Sequence, residues 1–118
     1  MKYHLKLADK LWGQAMHSLN PICAMCANGR PLEAHHIIHR NHKLTRHDLR
    51  NGIMLCRYHH AWAHAKPRMF FDWLFENRLE QWYWIHKNKN KVGKPDYEAV
   101  IKNLKDEIKG KGETLGRG

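Results

Sequence analysis

Two short pairs of soft ligands, Cys23-x-x-Cys26 and Cys56-x-x-His59, bracket the middle of this chain. A two-residue gap lets both members of a pair reach one tetrahedral ion, and a shared ion would tie the turn at 23–26 to the chain after residue 55. That closure constrains the fold more than any hydrophobic pattern does. The chain has 118 residues, so a single domain is expected, small enough to gain from a metal staple. Three cysteines are an odd count for a disulfide framework. In a cytosolic protein the paired spacing reads as structural zinc on Cys23, Cys26, Cys56 and His59. Three inert buried cysteines would account for the residues but not for the pairing. His60 can replace His59 by a small rotation of the turn; the two-residue gap favours His59.

Charge narrows the partners. Lys plus Arg is 21 against 11 for Asp plus Glu, a net +10 with histidines neutral. That excess suits a polyanion, with DNA or RNA leading, although a basic protein with no such partner would share it. Hydrophobic residues at 42% argue against global disorder. No apolar run approaches the ~20 residues that span a bilayer. Residues 1–7 lack the continuous apolar stretch of a signal peptide. The expectation is a cytoplasmic protein without a membrane partner, and a monomer or weak homodimer.

Periodicity outlines the elements. Leu7, Ala8, Leu11, Trp12, Ala15, Met16 and Leu19 predict an amphipathic helix over 7–19, ended by Asn20-Pro21. A knuckle follows over 23–30, closed by the turn dipeptide Asn28-Gly29. Residues 32–38 suit a strand, 39–50 a polar basic loop, and Asn51-Gly52 a turn into the apolar Ile53-Met54-Leu55. A helix from near Arg57 carries His60 and His64 on one face. Pro67 interrupts it and opens the next. That next helix has Phe71, Leu74, Phe75, Leu79, Trp82 and Ile85 at helical spacing, a stripe that reads as core before base-stacking platform. Residues 87–94 form a basic linker. Pro95 opens a last helix with Tyr97, Val100, Ile101, Leu104 and Ile108 on one face. The fold class is α+β: a core at about 21–66, a helical extension over 67–109 and a frayed tail over 110–118.

Eight of the 11 histidines lie between His35 and His64. In extended backbone His35 and His36 point to opposite faces and take different jobs. His60 and His64, four apart on a helix, can share one cation, and a strand pair followed by a helix can bring His35 to them. One histidine is then left as a base. Phosphodiester hydrolysis needs that set: a neutral imidazole to activate water, a divalent cation against developing charge, and a group to orient the base. Glu33 shares the face of His35 and either orients it, helps bind metal, or is a solvated acid. His39, His42 and His47 take no assigned role.

The order Cys-x-x-Cys, Glu33-x-His35-His36-Ile37, then Asn51-Gly52-x-x-Leu55-Cys56-x-x-His59-His60 resembles the HNH endonucleases with a zinc-bound ββα-metal core. The resemblance covers roughly residues 7–75. Its flanks, Asp9-Lys10-Leu11-Trp12 and residues 43–52, are similar to small phage-encoded members, including recombination-type endonucleases. It implies a ββα-metal core with an N-terminal helix and two C-terminal helices, and a DNA endonuclease leaving 3′-hydroxyl and 5′-phosphate ends on duplex or branched DNA. By this resemblance His36 is the general base and Asn51 pins the loop between the strands and orients that base. His35 and His60 are ligands of the catalytic ion, with His64 a second helix ligand or a phosphate contact. The ion is Mg²⁺ or Mn²⁺, with Ni²⁺ or Zn²⁺ in some members. His59 stands where many zinc-bearing members have cysteine. Arg40, Lys43, Arg46, Arg50 and Arg57 surround the site in sequence and suit phosphate contacts. A zinc-stapled nucleic-acid-binding module without catalysis is the alternative.

Overall fold

The two apolar stretches on either side of the basic loop pair with each other. In a computed structural model, which describes residues 2–29 and 31–117 (backbone alone for residues 2 and 111–117), β1 (Leu32–His36) runs antiparallel to β2 (Gly52–Cys56). Arg30 and Gly118, the ends of the expected knuckle and tail, lie outside the described residues. Opposite residues are Glu33 and Leu55, His35 and Ile53, His36 and Gly52. Side chains alternate between faces. Ile53 and Leu55 pack with Ala63, Phe70, Leu74 and Ile85, from α2 (Arg57–Ala65), α3 (Pro67–Asn77) and α4 (Leu79–Asn88). Met54 packs the other way, with Leu11, Trp12, Ala15 and Met16 of α1 (Lys2–Leu19) and Leu104 of α5 (Tyr97–Arg117). The result is an α+β arrangement, a two-stranded sheet between two groups of helices.

Helix boundaries differ from the sequence pattern in three places. α1 begins at Lys2 rather than at 7, because its first turns lie along α5, where Leu7 and Leu11 join Val100, Ile101, Leu104 and Ile108. The single helix expected after Pro67 is two, so three helices follow α2 rather than two. The chain leaves helical geometry at Arg78 (φ −139°, ψ 59°), much as it does at Lys66 (φ −128°, ψ 63°). Pro67 enforces the break at Lys66, whereas at Arg78 tertiary packing does. The bend sets Phe75 against Trp82, ring centroids 4.9 Å apart, and lets Leu74 and Ile85 share one core. A straight helix would hold those two about 16 Å apart along its axis. Thirdly, α5 stays helical through Arg117, where fraying is expected from 110; glycine lowers helix propensity without breaking an established ladder.

Gly52 shows how closely α1 lies on the sheet. A Cβ there would stand 2.6 Å from Met16 Sδ and 2.7 Å from Trp12 Cζ2. Glycine at the start of β2 lets the helix approach. Among the described residues, no helix is long and apolar enough to cross a membrane.

Candidate metal centres and active site

The knuckle is built from backbone. Cys23 N–H donates to Asn28 O (2.8 Å), Ala27 N–H donates back to Cys23 O (2.9 Å), and Ala24 N–H joins the turn to β2 through Met54 O (2.9 Å). Ala27 takes a left-handed φ of 60°, a modest strain for a residue with a Cβ. On the far side Cys56 is the N-cap of α2, its Sγ accepting from His59 N–H. Cys23, Cys26, Cys56 and His59 thus meet, their ligand atoms all within 4.8 Å of one another. Cys26 Sγ is 3.8 Å from Cys56 Sγ, and His59 Nδ1 is 3.2 Å from Cys56 Sγ and 3.8 Å from Cys23 Sγ. No disulfide joins the three cysteines. Ligands about 2.3 Å from a tetrahedral ion stand roughly 3.8 Å apart, so this set can hold one metal ion.

A second set gathers on the α2 side of the sheet. His35, His60 and His64 also offer ligand atoms within 4.8 Å of one another. His60 Nε2 and His64 Nε2 are 3.1 Å apart, near the ~3.3 Å that two imidazoles show on one tetrahedral ion. His60 Nδ1 donates to Glu33 Oε1 at 2.8 Å. This hydrogen bond first of all holds the Glu33 carboxyl below its usual range, so the acceptor is a carboxylate. A proton therefore sits on His60 Nδ1, and its Nε2 faces His64. His35 is buried at 7% exposure, and its Nδ1 has no hydrogen-bond partner. Burial, and then the neighbouring His60, His64 and His36, push its pKa down to about 3. A buried, neutral imidazole beside two more histidines suits a divalent cation.

His36 points to the opposite face, against α1. Its Nε2 lies 3.0 Å from Arg46 O. A carbonyl only accepts, so Nε2 carries the proton and Nδ1 is left as the basic lone pair. Burial lowers the pKa of His36 and outweighs the Arg46 hydrogen bond, which favours the charged ring. Asn51 stands behind this arrangement with no exposed surface. Its Oδ1 accepts from Ile38 N–H (2.6 Å), and its Nδ2 donates to Ile38 O (3.0 Å) and Thr45 O (3.2 Å). It fixes both ends of the loop whose next carbonyl, Arg46 O, holds His36.

The basic residues divide. Arg40, Lys43 and Arg57 are exposed, with Arg40 Nη2 3.5 Å from Asp9 Oδ2. Arg46 is held inward, its Nε and Nη2 donating to Asp9 Oδ1 and Oδ2 at 2.9 and 2.7 Å. Arg50 is doubly bonded to Asp48 and lies over the Trp84 ring, 4.8 Å from its centroid. Asp9 also accepts from His47 Nε2 at 2.7 Å. Three contacts escape sequence reasoning. Glu33 meets His60 rather than His35, Asp9 meets Arg46 and His47, and Trp12 meets His36. The i, i+3 placement of Asp9 and Trp12 on one side of α1 was the available signal.

Compared with protein-family models, curated proteins and solved structures, the chain matches none.

Proposed function

We propose that the protein is a metal-dependent endonuclease of HNH type, with β1, β2 and α2 as its ββα-metal core, and that it hydrolyses DNA phosphodiester bonds. One observation carries the reading: His36 is held by a backbone carbonyl with Nδ1 bare, while the adjacent His35 points the other way into a three-histidine cluster. In-line attack on phosphorus needs its base and its leaving-group stabiliser on opposite sides of the phosphate. Two consecutive residues at the end of one strand place a base and a candidate cation site next to each other in the chain.

In this reading His36 Nδ1 takes a proton from water as the new O–P bond forms. The bond to the 3′ oxygen breaks, and that oxygen takes up a proton from solvent water, giving a 3′-hydroxyl and a 5′-phosphate. Asn51 keeps the Arg46 carbonyl in place, and with it the ring. His35, His60 and His64 would hold the divalent ion, which when bound supplies positive charge to the leaving oxygen. Cys23, Cys26, Cys56 and His59 would hold structural zinc, for which three thiolates and an imidazole are a suitable donor set. The net charge of +10 supports a polyanionic substrate, and the exposed Arg40, Lys43 and Arg57 are its first phosphate contacts.

The test is nicking of supercoiled plasmid with Mg²⁺, Mn²⁺ or Ni²⁺, by the wild type and by His36→Ala. We expect the variant to lose roughly 10²- to 10⁴-fold in rate; full activity in it would sink the base assignment. Tight binding of DNA without cleavage under any of these metals would make the chain a zinc-stapled binding module. Linear duplex, single strand and a four-way junction in the same panel give the preferred DNA structure.

A further inference from the structure

We infer that α1 is a working part of the active site, with Trp12 and Asp9 as positioning residues for His36. The inference rests on the reading of His36 as the base. Trp12 and His36 stack with ring centroids 4.0 Å apart and planes 13° from parallel. The indole is itself fixed: it is 4% exposed and its Nε1–H donates to Asp48 O at 3.1 Å. A hydrogen bond from Nε2 to one carbonyl leaves an imidazole free to swing about that contact. A rigid ring against its face removes the swing and sets the direction of Nδ1.

Asp9, three residues earlier on the same helix, acts on the carbonyl instead. Both its oxygens accept from the Arg46 guanidinium, at 2.9 and 2.7 Å, and Oδ1 also accepts from His47 Nε2. The backbone oxygen of that same Arg46 receives His36 Nε2–H. The helix therefore grips the base twice, once by its ring face and once through the residue that orients it. Gly52 is consistent with this arrangement, being the strand partner of His36 and the residue whose missing Cβ leaves room for Trp12.

The experiment is steady-state plasmid cleavage by Trp12→Leu, Trp12→Phe and Asp9→Asn, with the affinity of the three-histidine site for metal measured separately. Misdirecting a base by about 1 Å costs on the order of 10²-fold. Trp12→Leu should lower kcat by about 10- to 100-fold, with KM and metal affinity unchanged. Trp12→Phe keeps a ring face and should recover most of that loss. Should Trp12→Leu fail to fold, Asp9→Asn makes the same test at a partly exposed side chain, again with the loss in kcat. An unchanged kcat in the folded variants, or a loss confined to KM or metal affinity, overturns the inference. A wild-type chain that nicks no plasmid overturns the His36 reading beneath it, and no variant then has a rate to lose.

Discussion

His59 and His60 are adjacent in the first turn of α2, yet they serve different clusters. His59 Nδ1 lies 3.2 Å from Cys56 Sγ, and His60 Nδ1 lies 2.8 Å from Glu33 Oε1. The residue that caps α2, Cys56, also belongs to the first cluster, so a metal ion bound there would set the start of the helix that presents His60 and His64. The dependence should run one way. His59→Ala should lose the tightly held ion, lower Tm and abolish cleavage, because a small domain stapled by metal folds with it. His60→Ala should abolish cleavage while keeping that ion and a stability within about 1 kcal/mol of wild type. Metal analysis of the purified variants, with thermal melts, checks the asymmetry; equal loss of the ion in both would refute it.

Glu33 gives a gentler variant. Its carboxylate fixes the His60 tautomer and makes the ring a better donor. Glu33→Gln keeps the shape and removes the charge. It should weaken metal binding at His35, His60 and His64 by roughly 10- to 100-fold, and saturating metal should restore kcat. Titration of cleavage rate against metal concentration separates the two effects. An unchanged midpoint would mean that Glu33 is only a surface acid.

Asn51 joins three backbone groups in a site closed to solvent. Asn51→Ala leaves Ile38 N–H and Ile38 C=O unpartnered, at about 1–3 kcal/mol each where water cannot reach, while Thr45 C=O keeps its bond from Asp48 N–H (3.1 Å). A loss of roughly 3 kcal/mol or more is expected from urea denaturation. Asn51→Asp should be no better, since it sets an anion against two carbonyl oxygens. A loss under about 1 kcal/mol in the alanine variant would show that the loop closes without it.

Much of the site was legible because ligand pairs and helical spacing are local. Both Cys-x-x-ligand pairs, the opposed directions of His35 and His36, and the shared face of His60 and His64 follow from backbone geometry over a few residues. Partners brought together across the fold were not legible. Spacing says which side of α1 carries Asp9 and Trp12, but not that the loop around Arg46 folds onto that side. Charge alone drew Arg46 toward phosphate, whereas Asp9 holds it inside. The same limit hid the bend at Arg78, where the apolar period runs on undisturbed and only the shared burial of Leu74 and Ile85 turns the chain.

Acid should act through the Asp9 cluster. Burial raises the Asp9 pKa, but the hydrogen bonds from Arg46 and His47 outweigh it and the net pKa falls below 3.8. Burial also pulls His47 below 6.5, against the attraction of Asp9. Both groups bind protons less readily folded than unfolded. Their contributions are therefore complete above the unfolded values and are lost as pH falls through the folded ones. His47 begins to titrate against stability below about pH 6.5 and Asp9 below about pH 3.9. The slope is at most about 1.4 kcal/mol per pH unit for each proton. His47→Gln should flatten the upper part of this decline in urea midpoints measured from pH 7.5 to 4.5. A wild type whose midpoint does not fall over that range would contradict the assignment.

The donor set of the second cluster bears on which metal works. Mg²⁺ prefers carboxylate, carbonyl and water oxygens and is a poor match for three imidazoles, whereas Mn²⁺, Zn²⁺ and Ni²⁺ all bind nitrogen better than Mg²⁺ does, Mn²⁺ by the smallest margin. His35, with its pKa pushed down to about 3 by burial, stays a neutral ligand throughout the working range. Cleavage at equal micromolar metal should therefore be at least ~10-fold faster with Ni²⁺ or Mn²⁺ than with Mg²⁺. His35→Asp places an oxygen donor in the same position and should move the preference back toward Mg²⁺, at some loss of affinity for Ni²⁺. Rates for both proteins across the metal series decide the matter. Equal rates with Mg²⁺ and Ni²⁺ in the wild type, unchanged by His35→Asp, would detach the three histidines from the chemistry of the ion.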